Sequence, residues 1–313
     1  MLTATGRYYL QNSLRTVAVM TTILPRKTLK KVRNITYNPN NTVIIFGAPR
    51  SGTTWLANII SKATHSEVIF EPFSPMAKGL FLPVKSATST HWAKPYVRNS
   101  DQLNSLYDID AILNGHNLKL WSEIGNVSIF PRQNLVLKTI HGSLIIPEIY
   151  QLYQNKLIYI ERNPYAVVCS QLNSFGGKQY QYLNGLLKNQ LLVQDWLKPW
   201  LRELSSIHCL VEEYAAVLAI ETYITKNKMK GIPYKKVSYE SLVLDPENQL
   251  KTILDWVAKA YRLDNINFNK QSFTSFTLKK KKRDLLDGWK TTLSRSEKAL
   301  IKKWHNNFGL DNL

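Results

Sequence analysis

The sequence predicts an α/β protein in which helices flank both faces of a central parallel β-sheet, giving three layers. Short, continuously apolar runs recur along the chain and are typical of strands buried on both faces. A helical stretch follows most of these runs, and strands that alternate with helices form parallel sheets through βαβ units. Neither repeats nor low-complexity linkers interrupt the 313 residues, so we expect one continuous domain over 1–313.

The elements follow from the spacing of apolar residues. After a basic lead-in over residues 1–41, the predicted strands are 42–47, 135–138, 157–160 and 234–239. The predicted helices are 53–63, 143–154, 164–174, 246–261 and 295–307, with a mainly helical stretch over 186–229 that Pro199 interrupts. Ser294 and Glu297 form a capping-box pattern at the start of the last helix.

Two segments do not fit this alternation of strands and helices. Residues 74–117 are rich in Ser, Pro and Asn and are expected to be irregular. Residues 175–205 contain several aromatic side chains. We expect both segments to be insertions or a lid around an acceptor site, although core packing of the aromatic residues is an equally good interpretation.

The charge of the chain indicates an anionic partner. There are 41 Lys and Arg against 22 Asp and Glu, giving a formal net charge of +19. Nucleic acid, a membrane surface and an anionic cofactor or substrate all remain open at this point. The two cysteines exclude a disulfide framework and a four-thiolate zinc site, and they indicate a reducing compartment. No apolar run reaches the roughly 18 residues of a membrane-spanning helix, so we expect a cytoplasmic protein.

The most specific motif is the sequence GAPRSGTTW over residues 47–55. It follows a buried strand and opens a helix, which is where main-chain N–H groups and a helix N-terminus bind an oxyanion. The spacing Gly47-x₄-Gly52 matches a P-loop, but Thr53 stands where a nucleotide triphosphatase has its lysine. This difference argues against an ATPase or GTPase. Arg50 inside the loop can instead bond a phosphate or sulfate with two N–H groups.

With this loop, the chain resembles the sulfotransferase family, whose members transfer a sulfuryl group from 3′-phosphoadenosine 5′-phosphosulfate (PAPS) and have a P-loop-like fold. Cytosolic members usually carry lysine at the position of Arg50, whereas carbohydrate-type and bacterial members often carry arginine. The resemblance implies that the loop binds the 5′-phosphosulfate. The cofactor-binding residues that it implies here are Arg50, Ser51, Gly52, Thr53, Thr54 and Trp55.

Further motifs along residues 42–292, the recognisable core, support the resemblance. After the strand 157–160, Arg162 and Ser170 match the family's 3′-phosphate site. Tyr239 lies in a segment similar to the family's Tyr-Glu-Asp-Leu sequence and is implied to lie near the adenine. The resemblance also implies adenine stacking by Phe276 and cofactor binding by a pair within the basic run 279–283, namely Lys282 and Arg283. Asp284 replaces the glycine that follows this pair in the family.

The resemblance implies transfer without a required metal ion. It places Arg50 and Lys138 among the catalytic residues and implies a base that takes the proton of the acceptor. His141 matches the family histidine with a displacement of one residue, and Glu71 matches the Glu-Pro segment of carbohydrate-type members. We favour His141 as the base and keep Glu71 as the alternative.

The expected acceptor is the hydroxyl or amine of a small molecule or carbohydrate. A P-loop kinase-like phosphotransferase is the alternative enzyme, and a polyanion- or nucleic-acid-binding protein is the alternative of another class. No recognisable nucleic-acid-binding module is present, so we expect no nucleic-acid partner. Residues 1–66 contain no Asp or Glu, so peripheral contact of this stretch with a membrane surface remains an open alternative.

Overall fold

The computed structural model describes residues 37–74, 94–114, 134–175, 182–258, 260–263, 266 and 282–310. Within these ranges the chain forms a five-stranded sheet in the order β2-β3-β1-β4-β5, and every strand pair is parallel. The strands are β1 (Val43–Gly47), β2 (Ser66–Phe70), β3 (Asn134–Thr139), β4 (Lys156–Glu161) and β5 (Lys235–Ser238). The predicted α/β architecture with a parallel sheet is therefore confirmed.

Helices cover both faces of this sheet. The main helices, in chain order, are α1 (Thr53–Ala63), α2 (Ser100–Leu106), α3 (Ile109–Leu113), α4 (Ile146–Tyr153), α5 (Pro164–Phe175), α6 (Tyr182–Leu187), α7 (Gln190–Leu192), α8 (Leu201–Ser205), α9 (Leu210–Lys228), α10 (Tyr239–Leu244), α11 (Pro246–Val257), α12 (Lys282–Thr292) and α13 (Arg295–Asn307). Short 3₁₀ helices lie at Pro39–Asn41, Ser143–Ile145 and Lys198–Trp200, and a π-helical turn at Val193–Leu197.

The pleat of β1 explains the three layers. Its residues Ile44 and Phe46 pack on one face with α2, α3 and α4, whereas Val43 and Ile45 pack on the other with α1, α10 and α11. Side chains alternate across a strand, so an all-apolar run must be covered on both sides. A further apolar cluster joins α5, α9 and α13, where Trp304 is fully buried.

Several details differ from the sequence-based predictions, and strand β2 is not among the four predicted strands. The segment 74–117 is not irregular throughout, because α2 and α3 lie within it, capped by the side chains of Asn99 and Asp108, and Leu103 and Ile112 are fully buried. Helix α11 ends at Val257 rather than residue 261, and Arg262 donates its main-chain N–H to the carbonyl of Ala63. The last part of the basic run, from Lys282, begins helix α12.

The remaining predicted elements agree with the structure to within a few residues. Helix α1 has the predicted bounds, and so does α13, whose capping box forms as predicted. A search of the described part of the chain for a helix long and apolar enough to cross a membrane finds none.

Candidate active site

The carboxyl ends of all five parallel strands meet at one edge of the sheet, and the predicted functional residues lie there. Strand β1 is central, with β3 on one side and β4 on the other. The chain leaves β1 at Gly47, β3 at Thr139 and β4 at Glu161. Crevices beyond the carboxyl ends of parallel strands are where open α/β sheets bind ligands.

The loop between β1 and α1 has the backbone that a phosphate-binding turn requires. Arg50 and Gly52 have φ angles of 70° and 92°, both in the left-handed region. The Ser51 hydroxyl donates to the carbonyl of Ala48 at 2.6 Å, which closes the turn. Thr53 and Thr54 are buried at the start of α1, whose N-terminus therefore faces the loop. This arrangement directs main-chain N–H groups and the positive end of the helix dipole to one place.

Two partly buried arginines connect this loop to β4. Arg162, just after β4, donates from its guanidinium to the main-chain carbonyl of Arg50 at 2.8 Å and to that of Leu285 at 2.8 Å. Arg50 in turn donates through Nε to the hydroxyl of Ser170 at 3.2 Å. Burial lowers the pKa of the Arg50 guanidinium, and the charge of Arg162 lowers it further. These hydrogen bonds thus join three of the residues predicted for the two phosphate sites, one from the loop and two from the β4–α5 junction.

Tyr239 forms the floor beneath these arginines. The Arg162 guanidinium lies 4.2 Å from the centre of the Tyr239 ring, a cation–π contact. A Cβ atom added to Gly52 would come within 2.6 Å of the same ring. Glu240 accepts the main-chain N–H of Asn163 at 2.9 Å and so ties the start of α10 to the β4–α5 turn. Tyr239 is therefore part of the predicted cofactor site.

On the other side of β1, Glu71 and Lys138 form a buried ion pair. The main-chain N–H of Ile140 donates to both Glu71 oxygens at 3.0 Å. Burial raises the pKa of the Glu71 carboxyl, but the charges of Lys138 and His141 and these hydrogen bonds outweigh it, so the net pKa lies below its usual value. Glu71 is thus held ionised, with its orientation fixed by Lys138 and the β3 turn.

His141 follows in the same turn and is buried. Its Nδ1 has no hydrogen-bond partner among the residues that the structure describes, and its ring centre lies 6.2 Å from that of Tyr182. Burial lowers the pKa of His141 to about 4; the Glu71 carboxylate opposes this, and the charges of Lys94 and Lys138 add to it. The imidazole is therefore neutral near pH 7 and able to accept a proton.

Part of the predicted site cannot be compared with the structure. Phe276 lies outside the described residues. The backbone of Lys282 and Arg283 forms the first turn of α12, but their side chains lie outside the description. Helix α12 itself packs beside the cofactor site, because Arg162 bonds to its Leu285 carbonyl and Trp289 stacks on Tyr165 at 4.7 Å between ring centres.

Sequence reasoning missed two buried charged residues, Lys94 and Glu221. They form a buried ion pair, and the charge of Lys94 acts on both His141 and Lys138. The two residues are 127 positions apart and belong to no motif, so no signal in a single sequence identifies them.

Taken together, these features describe an α/β protein with a P-loop-like turn, and the residues predicted to bind an oxyanion and to accept a proton lie at the carboxyl edge of its sheet. The family model described as "Sulfotransferase family" matches residues 42–261. The chain therefore belongs to the sulfotransferase family and is a sulfotransferase. This match gives no support to the kinase-like or nucleic-acid-binding alternatives.

Solved structures similar to the chain include other sulfotransferases. The sulfotransferase domain from the curacin biosynthetic pathway is 18% identical, with a TM-score of 0.43; the match covers 83% of this chain and 95% of that one. Mouse sulfotransferase SULT7A1, solved in complex with PAP (3′-phosphoadenosine 5′-phosphate), is 13% identical, with a TM-score of 0.43; the match covers 86% of this chain and 85% of that one. The sulfotransferase domain of the Synechococcus PCC 7002 olefin synthase is 16% identical with a TM-score of 0.43, over 87% and 96%. No curated protein sequence matches the chain.

Proposed function

We propose that this sulfotransferase takes its sulfuryl group from PAPS and passes it to a hydroxyl or amine of a small-molecule or carbohydrate acceptor. The observation that carries the proposal is a pair of partly buried arginines, Arg50 and Arg162, which are joined by a hydrogen bond from the Arg162 guanidinium to the main-chain carbonyl of Arg50. PAPS carries about four negative charges, two of them on the 3′-phosphate. Two partly buried cations and a helix N-terminus suit such a donor.

The β1–α1 loop and the residues after β4 would bind different parts of the donor. Arg50 and the main-chain N–H groups after it bind the 5′-phosphosulfate, and Arg162 with Ser170 binds the 3′-phosphate. The Nε of Arg162 is buried without a hydrogen-bond partner among the described residues, so it is available to an oxyanion. The Tyr239 ring lies against the Arg162 guanidinium and close to Gly52, and it would contact the adenine. No metal ion is required in this scheme.

The transfer is an in-line displacement. The acceptor oxygen or nitrogen forms a bond to sulfur while the bond from sulfur to the bridging phosphate oxygen breaks, leaving the sulfated acceptor and 3′-phosphoadenosine 5′-phosphate (PAP). Catalysis then rests on positioning and on stabilisation of negative charge. Arg50 and Lys138 carry the positive charge that stabilises the leaving phosphate.

His141 is the proposed base and Glu71 its electrostatic partner. Glu71 is occupied by Lys138 and by the N–H of Ile140, whereas the neutral His141 ring has a nitrogen that no described residue bonds. As the proton leaves the acceptor, the imidazolium that forms is stabilised by the Glu71 carboxylate. A cytoplasmic location fits this proposal, since neither Cys169 nor Cys209 forms a disulfide bond.

The donor is tested by thermal shift with PAP, ATP–Mg²⁺ and a DNA oligomer in parallel. We expect stabilisation by PAP alone, since a ligand that binds only the folded state raises its stability. Stabilisation by ATP–Mg²⁺ or DNA but not by PAP would contradict the proposal. A screen of sugars, phenols and amines with isotopically labelled PAPS then identifies the acceptor class.

The base is tested by replacing His141 and Glu71 separately with glutamine. We expect His141→Gln to lower kcat at least about a hundredfold, which is typical of a lost general base, while PAP binding by calorimetry stays within twofold. Glu71→Gln should lower kcat less, because it removes a partner of the base. The reverse ranking would assign the proton transfer to Glu71.

A further inference from the structure

The hydroxyl of Thr139 lies at the centre of the turn over residues 139–142, which carries His141. Thr139 is the last residue of β3 and is fully buried. Its Oγ1 accepts the main-chain N–H of His141 at 3.2 Å and that of Gly142 at 2.8 Å. The same hydroxyl donates to Oε2 of Glu71 at 3.4 Å. One side chain therefore connects the proposed base with the Glu71 carboxylate.

These three contacts use the full hydrogen-bonding capacity of the hydroxyl. A hydroxyl group has one proton to donate and two lone pairs that accept. At Thr139 the two N–H groups fill the lone pairs, and the proton is directed to the carboxylate. Both N–H groups are buried, and a buried N–H without a partner is costly, so removing the hydroxyl destabilises this conformation of the turn. Serine would preserve the three contacts, whereas valine would preserve only the shape of the side chain.

The Glu71 carboxylate is itself held in place. The main chain of Glu71 has φ of 53°, in the left-handed region that non-glycine residues adopt only where the surrounding contacts enforce it. Lys138 pairs with one carboxylate oxygen, and the N–H of Ile140 donates to both. The carboxylate therefore gives the Thr139 hydroxyl a fixed acceptor.

Phe73 closes the other side of the turn. A Cβ atom added to Gly142 would come within 2.5 Å of the Phe73 ring and within 3.2 Å of Thr139 Oγ1. Gly142 thus fits between the ring and the hydroxyl. The main chain that carries the His141 ring is therefore confined from two sides.

We propose that Thr139 is a positioning residue of the transfer reaction: its hydroxyl holds the turn of His141 in register with the Glu71 carboxylate. Thr139 does not touch the reacting atoms and acts through His141. A general base works only when its nitrogen lies within hydrogen-bond reach of the proton that it takes, and a displacement of about 1 Å can cost about a hundredfold in rate. This inference rests on the proposed function, in which His141 takes the proton of the acceptor.

The test compares two variants that separate the hydroxyl from the shape of the side chain, with kcat measured at saturating PAPS and the best acceptor of the screen. We expect Thr139→Val to lower kcat at least about tenfold, while PAP binding by calorimetry stays within about twofold of the wild type. Thr139→Ser should keep kcat within about threefold of the wild type, because the hydroxyl remains. A role in packing alone predicts the opposite ranking, since serine leaves a cavity that valine fills. A smaller loss of kcat in folded Thr139→Val, or an equal loss in Thr139→Ser, overturns the inference.

Action through His141 is tested by combining Thr139→Val with His141→Gln. Once the base is gone, its position no longer matters, so we expect Thr139→Val to lower the residual rate less than about twofold. A further tenfold loss in the double variant would mean that Thr139 acts independently of the base, which also overturns the inference.

The matched control is Thr42→Val, which should leave kcat unchanged. Thr42 is also buried but precedes β1, at the opposite edge of the sheet, where its hydroxyl donates to the carbonyl of Leu113 at 3.3 Å. If Thr139→Val does not fold, Thr139→Ala carries the same expectation. Hydrogen exchange of the Gly142 amide, followed by NMR on ligand-free protein labelled with ¹⁵N-glycine, should be at least about tenfold faster in the variant, and an unchanged rate overturns the inference. Failure of the wild type to bind PAP or transfer sulfate would instead overturn the proposed function.

Discussion

The guanidinium of Arg162 donates a hydrogen bond to the main-chain carbonyl of Arg50 at 2.8 Å. This contact joins the carboxyl ends of β4 and β1, and with them the two predicted phosphate sites. A second N–H of Arg162 bonds the carbonyl of Leu285, so helix α12 is attached to the same group. One planar side chain therefore joins three chain segments at the proposed donor site, which a lysine with a single nitrogen could do less well.

Replacing Arg162 tests this role. We expect Arg162→Ala to raise the Kd for PAP more than about tenfold, because the loss of a charge-assisted hydrogen bond costs at least about 1.5 kcal/mol. Arg162→Lys should recover part of the affinity, since it keeps the charge and loses the fork. The control is Arg202→Ala, an exposed arginine of α8. Wild-type PAP binding by Arg162→Ala in calorimetry would remove this residue from the donor site.

Ser170 offers a milder test of the link between the two phosphate sites. Its hydroxyl accepts from Arg50 Nε at 3.2 Å, so Ser170→Ala removes this hydrogen bond without changing any charge. We expect the Kd for PAP to rise about three- to tenfold, corresponding to roughly 1 kcal/mol for a hydrogen bond. Ser205→Ala is the matched control, because that exposed hydroxyl donates to the carbonyl of Leu201 in its own helix, away from the candidate site. Equal affinities for the two variants would contradict a role of Ser170 in the site.

The motifs could be predicted from the sequence because each occupies a strand end and the few residues after it. The apolar run before Gly47 and the alternation of strands and helices are local signals, and β1 and α1 follow from them. Arg162 and Ser170 lie eight residues apart across a single strand–helix junction. Parallel pairing then brings these local motifs to one edge without further information.

The rest of the site depends on contacts between distant residues. The basic character of Lys282 and Arg283 was visible, but the helix of which they form the first turn is stabilised by packing of Trp289 on Tyr165. The sequence of residues 100–113 is rich in polar residues and contains only short helix-like patterns. These residues nevertheless form α2 and α3, because Leu103 and Ile109 are buried against the sheet. The pair of Lys94 and Glu221 exists only once α9 is placed beside the segment 94–98.

Gly52 tests the backbone of the phosphate loop. Its φ is 92°, and a Cβ atom would come within 2.6 Å of the Tyr239 ring. We expect Gly52→Ala to cost about 3 kcal/mol of the free energy of unfolding and to abolish the PAP-induced thermal shift. Gly231→Ala is a matched control with φ of 79° and no atom within 4 Å of the added Cβ, and it should cost only about 1 kcal/mol. Equal losses for the two variants would show that only the backbone conformation matters.

The acid dependence of stability tests the burial of His141. Burial lowers the pKa of His141 to about 4 in the folded protein. A histidine in the unfolded chain titrates near pH 6.5. As the pH falls, the unfolded chain therefore binds a proton at this residue before the folded protein does, and unfolding becomes more favourable. The contribution of the neutral ring is fully present above about pH 6.5 and is lost progressively down to about pH 4.

His141→Gln removes this titration. The free energy of unfolding of the wild type, measured relative to the variant by urea titration, should fall by up to about 3 kcal/mol between pH 7.5 and 4. The ion pair of Glu71 is present in both proteins and also weakens in acid, so the comparison uses the difference between them at each pH. If the difference in the free energy of unfolding between the wild type and His141→Gln stays constant from pH 7.5 to 4, His141 titrates normally in the folded protein. That result would contradict the hypothesis that burial keeps His141 neutral.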